Sequence, residues 1–592
     1  MNDTPRGWFA RALDAPHALR WIALLAVALV LPTLNTGLIL DDWSHRMMVD
    51  PTWHHPGSVR GPWELYRFIT DDADFKRLSM DRGILPWWMA PGFRLAFLRP
   101  ISSLSVALDH TLFAAHPWVW HLENALWFGA LTLSAAAVFK ATLKSARLVA
   151  LATLLVAVDH THAMLTLWIS NRHAVLSAVF AFASLAMHMR WREEHNDRHR
   201  NAAISLFTVA LLCGESTFSI GGYLLAYTLW NDPDRSPRRW RALAPYAVIV
   251  AVWAVFYRLQ GCGAYGGDFY IDPVKQPLTF LHAVVKRLPI LALGQVGLPP
   301  SEFIGPRPLY VSVIIAAVLA VMSLPIWKLV RHHPLTRMWI FGALTALLPG
   351  CATFPGDRLL LFSGLGVMAL LATAFERAWW SGERPSLASR VLIGALAVIH
   401  LGLSPLLLPA RAVNIAHTSA DFVERADRTI PDDDALRRQM LMVVTSPDSL
   451  LPMYVMGRRY TEGRAVPTAG FRYMSLATHG TTTLRRDGPR SVVITSSVGF
   501  PHEQFGALYR GTAHPFHVGD VAVTRGMRVT VLSITPDGLA HETRFEWERD
   551  LEDPSYRWIW WRNFHFEAFP LPPLGASVTL EPIDWLHALM GR

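Results

Sequence analysis

Of 592 residues, 52% are hydrophobic and 17% charged, against about 25% charged in a soluble chain. That balance excludes an ordinary soluble globular protein. The net charge of +9 gives no case for nucleic acid, because the basic residues cluster between apolar runs, where membrane topology accounts for them.

In chain order, residues 1–20 read as a short basic tail. Trp21–Leu40 is the first candidate span. It is too long for a signal-peptide core and has no small-residue cleavage site, so it is expected to stay as an anchor. It stops abruptly in Leu40-Asp41-Asp42-Trp43. Further candidate spans are Trp118–Val138, Leu148–Val158, His173–Met189, Ala203–Cys213, Phe218–Trp230, Ala244–Tyr257, Tyr310–Val330, Met338–Cys351, Leu359–Phe375 and Val391–Pro409, about eleven in all, several shorter than a straight crossing needs. Tryptophans lie near many of their ends, as at membrane interfaces.

Every second connection is basic: Arg6, Arg11 and Arg20; Lys140, Lys144 and Arg147; Arg190 to Arg200; Arg235 to Arg241; Lys328, Arg331 and Arg337; Arg377, Arg384 and Arg390. The positive-inside rule makes these connections and the N-terminus cytoplasmic. The outward face then receives residues 41–117, the first long loop, and Asp159–Arg172. It also receives the turn at Glu215, a later loop over residues 258–309, and Ala352–Arg358. Residues 21–409 form the expected membrane domain. Beyond them the chain turns polar, and residues 410–592 read as an outward, mainly β (α+β) domain. Its expected strands include Met440–Val444, Ser491–Thr495 and Val521–Thr524, with some helix near Asp433–Arg438. Cys213, Cys262 and Cys351 lack metal-ligand spacing and are expected to be buried free thiols.

The unusual polar residues gather on the outward segments. Asp41 and Asp42 read as a general base, a divalent-cation ligand, or solvated carboxylates at a helix end, where the dipole would oppose them. His45, His54 and His55 show no regular ligand pattern, so no metal site is assigned. Arg99 precedes Pro100, a residue suited to the first helical turn. It therefore stands either near a helix N-terminus that welcomes an anion or as a snorkelling interfacial arginine. Asp159-His160-Thr161-His162, Asn171-Arg172, Glu215, Asp357-Arg358 and Arg287 fall on the same face. Guanidinium forks suit phosphate. Carboxylates beside such a cluster at a membrane surface point to a phosphorylated lipid substrate.

These residues together resemble the integral-membrane glycosyltransferases of the C superfamily, which include protein O-mannosyltransferases and oligosaccharyltransferases. The resemblance is carried by Asp41-Asp42 after the first helix and by Arg99-Pro100 with Ser103-Leu104-Ser105. Leu108-Asp109, Pro117 with His121 and Asn124, His162 with Trp168 and Arg172, Glu215, and Asp357-Arg358 complete it. It covers about Trp21 to Phe375. Asp159-His160 stands where His-Pro is usual, Met164 where Glu is usual, and Gly214 where Lys precedes Glu215.

The resemblance implies a polytopic α-helical fold and a polyprenyl-phosphate-sugar donor. It also implies an inverting displacement on the periplasmic face of a bacterial inner membrane. Asp42 or Asp41 would act as base, and Arg99, His162, Arg172, Glu215, Arg287, Asp357 and Arg358 would surround the donor. The acceptor would be a glycan, lipid or protein, a divalent cation is possible in principle, and no nucleotide cofactor is expected. A lipid-linked-sugar transporter or a non-catalytic envelope scaffold are the alternative readings.

Overall fold

The computed structural model describes residues 7–53, 60–305, 307–382, 385–476, 480–502 and 506–591. Among them, 8 helices are long and apolar enough to cross a membrane, or 9 if Ala146–Val158 and His160–Leu167, bent by 40° at Asp159, make one span. This is an integral membrane protein, and Leu309–Val330 presents nearly its whole surface outward, as a helix in lipid does.

The expected spans are helices, but four are too short for a straight crossing: Ala146–Val158 taken without its bent continuation, Asp197–Cys213, Gly221–Ala226 with its π-helical continuation Tyr227–Asn231, and Thr336–Ala346. One apolar helix was not expected. Pro277–Gly294 lies inside the segment read as the later loop and is itself long enough to span. Lys286, Arg287 and Pro289 break its hydropathy run, which hid it. Arg6, His54, His55 and Arg384 lie outside the described residues.

The first span also ends earlier than its apolar run. Helix α1 (Ala18–Val30) passes into a short 3-10 turn, Leu31–Asn35, and a second helix, α2 (Asp41–Val49), begins at the carboxylates. Gly37 at φ 69° and Leu40 at φ 49° turn the chain between them. Asp41 and Asp42 therefore occupy the first turn of a helix, where the dipole favours negative charge. The expected opposition is reversed.

The last apolar segment runs from Leu387 to Asp427. Its final part, helix α3 (Ser404–Asp427), passes unbroken through the expected boundary at 409/410. Beyond it are two sheets. The four-stranded one runs in the order His565–Ala568, Tyr556–Arg562, Met440–Thr445, Phe471–Ser475. The six-stranded one is antiparallel, in the order Ser577–Leu580, Thr482–Gly488, Ser491–Phe500, Ala540–Trp547, Met527–Ile534, Val521–Thr524. Met440–Thr445 and Phe471–Ser475 are parallel neighbours. Parallel strands need a crossover, and helix α4 (Leu451–Thr461) supplies it.

The membrane helices share one core and the sheets another. The first long loop belongs to the second: Trp87, Trp88 and Phe93 pack into the sheet domain, and Trp87 donates its indole N–H to the carbonyl of Met474 at 3.3 Å. The strand Arg94–Ala96 of that loop pairs with Gly263–Tyr265. Loop and sheet domain thus fold as a single cap over one end of the helices.

Candidate active site

A cavity of about 1770 Å³ lies between the helices and the cap. Single-ligand sites usually occupy roughly 300–1,000 Å³, so the space admits two reactants. Its lining combines Asp41, Arg358 and Trp168 from the membrane domain with Tyr454 and Tyr509 from the cap.

Asp41 and Asp42, adjacent in sequence, have different surroundings. Asp42 is buried, and its carboxylate is taken up by neighbours. Oδ1 accepts from the Ser170 amide at 2.7 Å and the Ser170 hydroxyl at 2.6 Å, and Oδ2 accepts from the Ile39 amide at 3.1 Å. Burial pushes its pKa up to about 7, against the pull of these donors. It does not line the cavity. Asp41 does, with Oδ1 accepting from the Tyr454 hydroxyl at 2.9 Å. Its Oδ2 has no hydrogen-bond partner among the described residues. Burial holds its pKa above the ordinary carboxylate range, while Tyr454 and the Arg358 charge pull it back. Beside them, His45 stacks on Phe68 and lies 3.1 Å from the Ser170 hydroxyl. Burial lowers its pKa to about 3, so it is neutral.

The arginines differ in the same way. Arg172 is fully buried. It bridges Asp109 at 2.7 Å and Glu123 at 3.0 Å, donates to the Ser105 hydroxyl and the Trp120 carbonyl, both at 2.9 Å, and contacts the Asn124 amide oxygen. Arg99 pairs with Glu215 at 2.7 Å and lies over Phe97 and Tyr66. Arg287 donates to the carbonyls of Cys351 and Thr353. His121 reaches the Gly37 carbonyl at 2.9 Å, and His162 is buried edge-on to Phe128. The motif residues therefore do come together, but Arg99, His162, Arg172, Glu215 and Arg287 brace the helices and do not line the cavity.

Arg358 is the exception. It lines the cavity and has no acidic partner and no hydrogen bond among the described residues. Its guanidinium lies over the Trp168 ring at 5.4 Å. That contact uses the flat face and leaves the N–H edge unspent. Its neighbour Asp357 is fully engaged. Oδ1 accepts from the Ser301 amide and hydroxyl at 2.8 and 2.9 Å, and Oδ2 pairs with Arg411 at 2.9 Å. Burial and the nearby Glu302 raise the pKa of Asp357, and Arg411 opposes them. Arg411 also pairs with Glu302 at 2.8 Å.

Sequence reasoning named neither Arg411, Glu302 nor Tyr454. Arg411 carried a usable signal, a charge directly after the last apolar run on the expected outward face, but Tyr454 carried none. Met164, where the family pattern has Glu, lines the cavity and makes that wall apolar. Among the described residues, no three His, Cys, Asp or Glu side chains are grouped to share a metal ion. Cys213, Cys262 and Cys351 are buried free thiols, as expected.

No protein-family model and no curated protein matches this chain. Two solved structures that it is similar to are archaeal oligosaccharyltransferase structures from Archaeoglobus fulgidus. One is in complex with an inhibitory peptide and a dolichol-phosphate: 13% identity, TM-score 0.39, covering 78% of this chain and 65% of that one. The other is tethered to an acceptor peptide containing the NVT sequon: 11% identity, TM-score 0.38, covering 79% and 64%. The chain spans less than two thirds of the length of either. Likeness at this level does not define a shared fold.

Proposed function

We propose that this protein is a membrane glycosyltransferase that moves a sugar from a polyprenyl-phosphate donor to a hydroxyl of a glycan, lipid or protein acceptor. The observation that carries the reading is the pairing, in one cavity at the end of the membrane helices, of an open carboxylate with an arginine that has no acidic partner among the described residues: Asp41 and Arg358. Asp41 Oδ2 takes the acceptor proton as general base, and a carboxylate with a burial-raised pKa is suited to do so near neutral pH. The acceptor oxygen forms its bond to the anomeric carbon as the bond from that carbon to the phosphate oxygen breaks. The phosphate leaves with the electron pair, and Arg358 meets its growing charge with two parallel N–H donors. A single displacement inverts the anomeric centre. The roles assigned to Asp41 and Arg358 agree with the resemblance carried by Asp41-Asp42 and Asp357-Arg358. The site lies at the end of the first span opposite the basic N-terminal tail, which we read as the periplasmic face of a bacterial inner membrane.

The test uses full-length protein in lipid nanodiscs, a panel of synthetic polyprenyl-phosphate hexoses and pentoses, and envelope extracts as acceptor. Wild type is expected to release polyprenyl phosphate and form a glycosidic bond of inverted configuration. Movement of a lipid-linked sugar across reconstituted vesicles with no such release would replace the reading with transport.

A further inference from the structure

Asp41 is held between two helices of the cap that come from distant parts of the chain. Helix α2 comes from the first loop and helix α4 is the crossover of the four-stranded sheet, yet the two pack against each other at very close range. A Cβ on Gly457 would stand 3.0 Å from Cβ of Trp43 and 3.1 Å from Cε of Met47, tighter than ordinary van der Waals contact. At the far end the Tyr460 hydroxyl meets the Thr52 hydroxyl at 2.6 Å. At the near end, ahead of Gly457 on α4 and of Trp43 on α2, the buried ring of Tyr454 places its hydroxyl 2.9 Å from Asp41 Oδ1.

We propose that Tyr454 is a positioning residue for Asp41, fixing Oδ1 so that Oδ2 is turned to the cavity shared with Arg358, and that the sheet domain thereby completes the reaction site. The inference rests on the reading of Asp41 as the base. The direction of the bond follows from its partners: an ionised carboxylate only accepts, so the phenol donates. Burial and the Asp41 charge raise the phenol well above its ordinary pKa, so it stays a donor throughout the working range. The other groups near Asp41 are Tyr509 of the cap, Tyr270 after the two-stranded ribbon, Arg358, and Asp42 beside it. Asp41 has no other hydrogen-bond donor among the described residues, so with the hydroxyl gone the carboxylate is free to swing about its own side-chain bonds.

Two variants test this in the full chain in nanodiscs. Tyr454→Phe removes the hydroxyl alone, and Gly457→Ala removes no side chain but pushes the helices apart. Both are expected to lower kcat for sugar release about tenfold to hundredfold, the loss of one hydrogen bond to a charged group. KM for the donor and the affinity for decaprenyl phosphate should stay within about twofold. A merely structural role would instead lower thermal stability and move KM and kcat together. A kcat within about twofold of wild type in Tyr454→Phe overturns the proposal.

A second readout needs no turnover. Dicyclohexylcarbodiimide modifies protonated carboxyls in apolar sites, and peptide mapping by mass spectrometry reports Asp41. Losing a donor disfavours the ionised form, so the pH of half-labelling should rise by about one unit in Tyr454→Phe. An unchanged labelling curve overturns the positioning role. A shifted curve in a protein that transfers no sugar from any donor upholds that role and overturns the transferase reading.

Discussion

Arg172 and Arg358 both follow short polar motifs on the same face of the membrane domain, yet one region of the protein consumes its arginine and the other leaves it free. Around Arg172 two carboxylates, two side-chain oxygens and a carbonyl close on the guanidinium, and no surface is left for a ligand. Around Arg358 there is an indole face and an open cavity. Asp42 and Asp41 repeat the contrast one residue apart. Charge in a membrane protein is costly to bury and is kept where it is either paired or used. Counting partners separates the two outcomes, and residue type does not.

The contrast is most sharply broken at the carboxylates. Asp41→Asn removes the proposed base and should lower transfer about a thousandfold with thermal unfolding unchanged. Asp42→Asn puts an amide against donors and should destabilise the fold by about 1–3 kcal/mol, read as a lower unfolding temperature with the remaining folded fraction still active. If Asp42→Asn abolishes transfer in a stable protein, the assignment of the two residues is reversed.

Next in size is Arg172→Met. It strands the buried Asp109 and Glu123 carboxylates and should cost about 3–5 kcal/mol, measured by denaturation in detergent. Arg358→Ala should leave stability alone and weaken decaprenyl phosphate binding about tenfold to hundredfold. Trp168 fluorescence, directly beneath the guanidinium, offers a local probe of that binding.

The smallest expected effect is in pH. Because Asp41 must be ionised to act, and burial raises its pKa, transfer should fall as pH drops through a point above the ordinary carboxylate range. Arg358→Lys, which leaves Asp41 in place, should preserve that acidic limb even while lowering the rate. A limb that stays in the range of a solvated aspartate would place the base elsewhere.

Much of the fold was legible because it follows from local patterning. Apolar runs marked nearly every helix of the membrane domain, and short stretches rich in β-branched residues such as Ser491–Thr495 marked strands. The failures have separate causes. Pro277–Gly294 was missed since two basic residues, Lys286 and Arg287, interrupted its hydropathy, although the Arg287 side chain finds polar partners in the carbonyls of Cys351 and Thr353. The first helix was drawn too long because Leu38, Ile39 and Leu40 carry the apolar run past the turn that Gly37 and Leu40 make at positive φ. The motif residues Arg99, Arg172 and Glu215 were picked out correctly as unusual, but their partners are far along the chain, and no spacing rule pairs Arg99 with Glu215.

What the sequence determined by itself was the class of molecule, the face on which its unusual charges gather and the junction at Asp41-Asp42, since hydropathy and charge asymmetry are local properties that a bilayer reads directly. Which carboxylate faces the cavity, which arginine is free and how the cap reaches the site were decided by tertiary structure. Tyr454 meets Asp41 across 413 residues, a contact made only when the crossover helix of a parallel strand pair packs against the helix after the first span. Burial and hydrogen bonding, which set the chemistry of each group, come into being only with that packing.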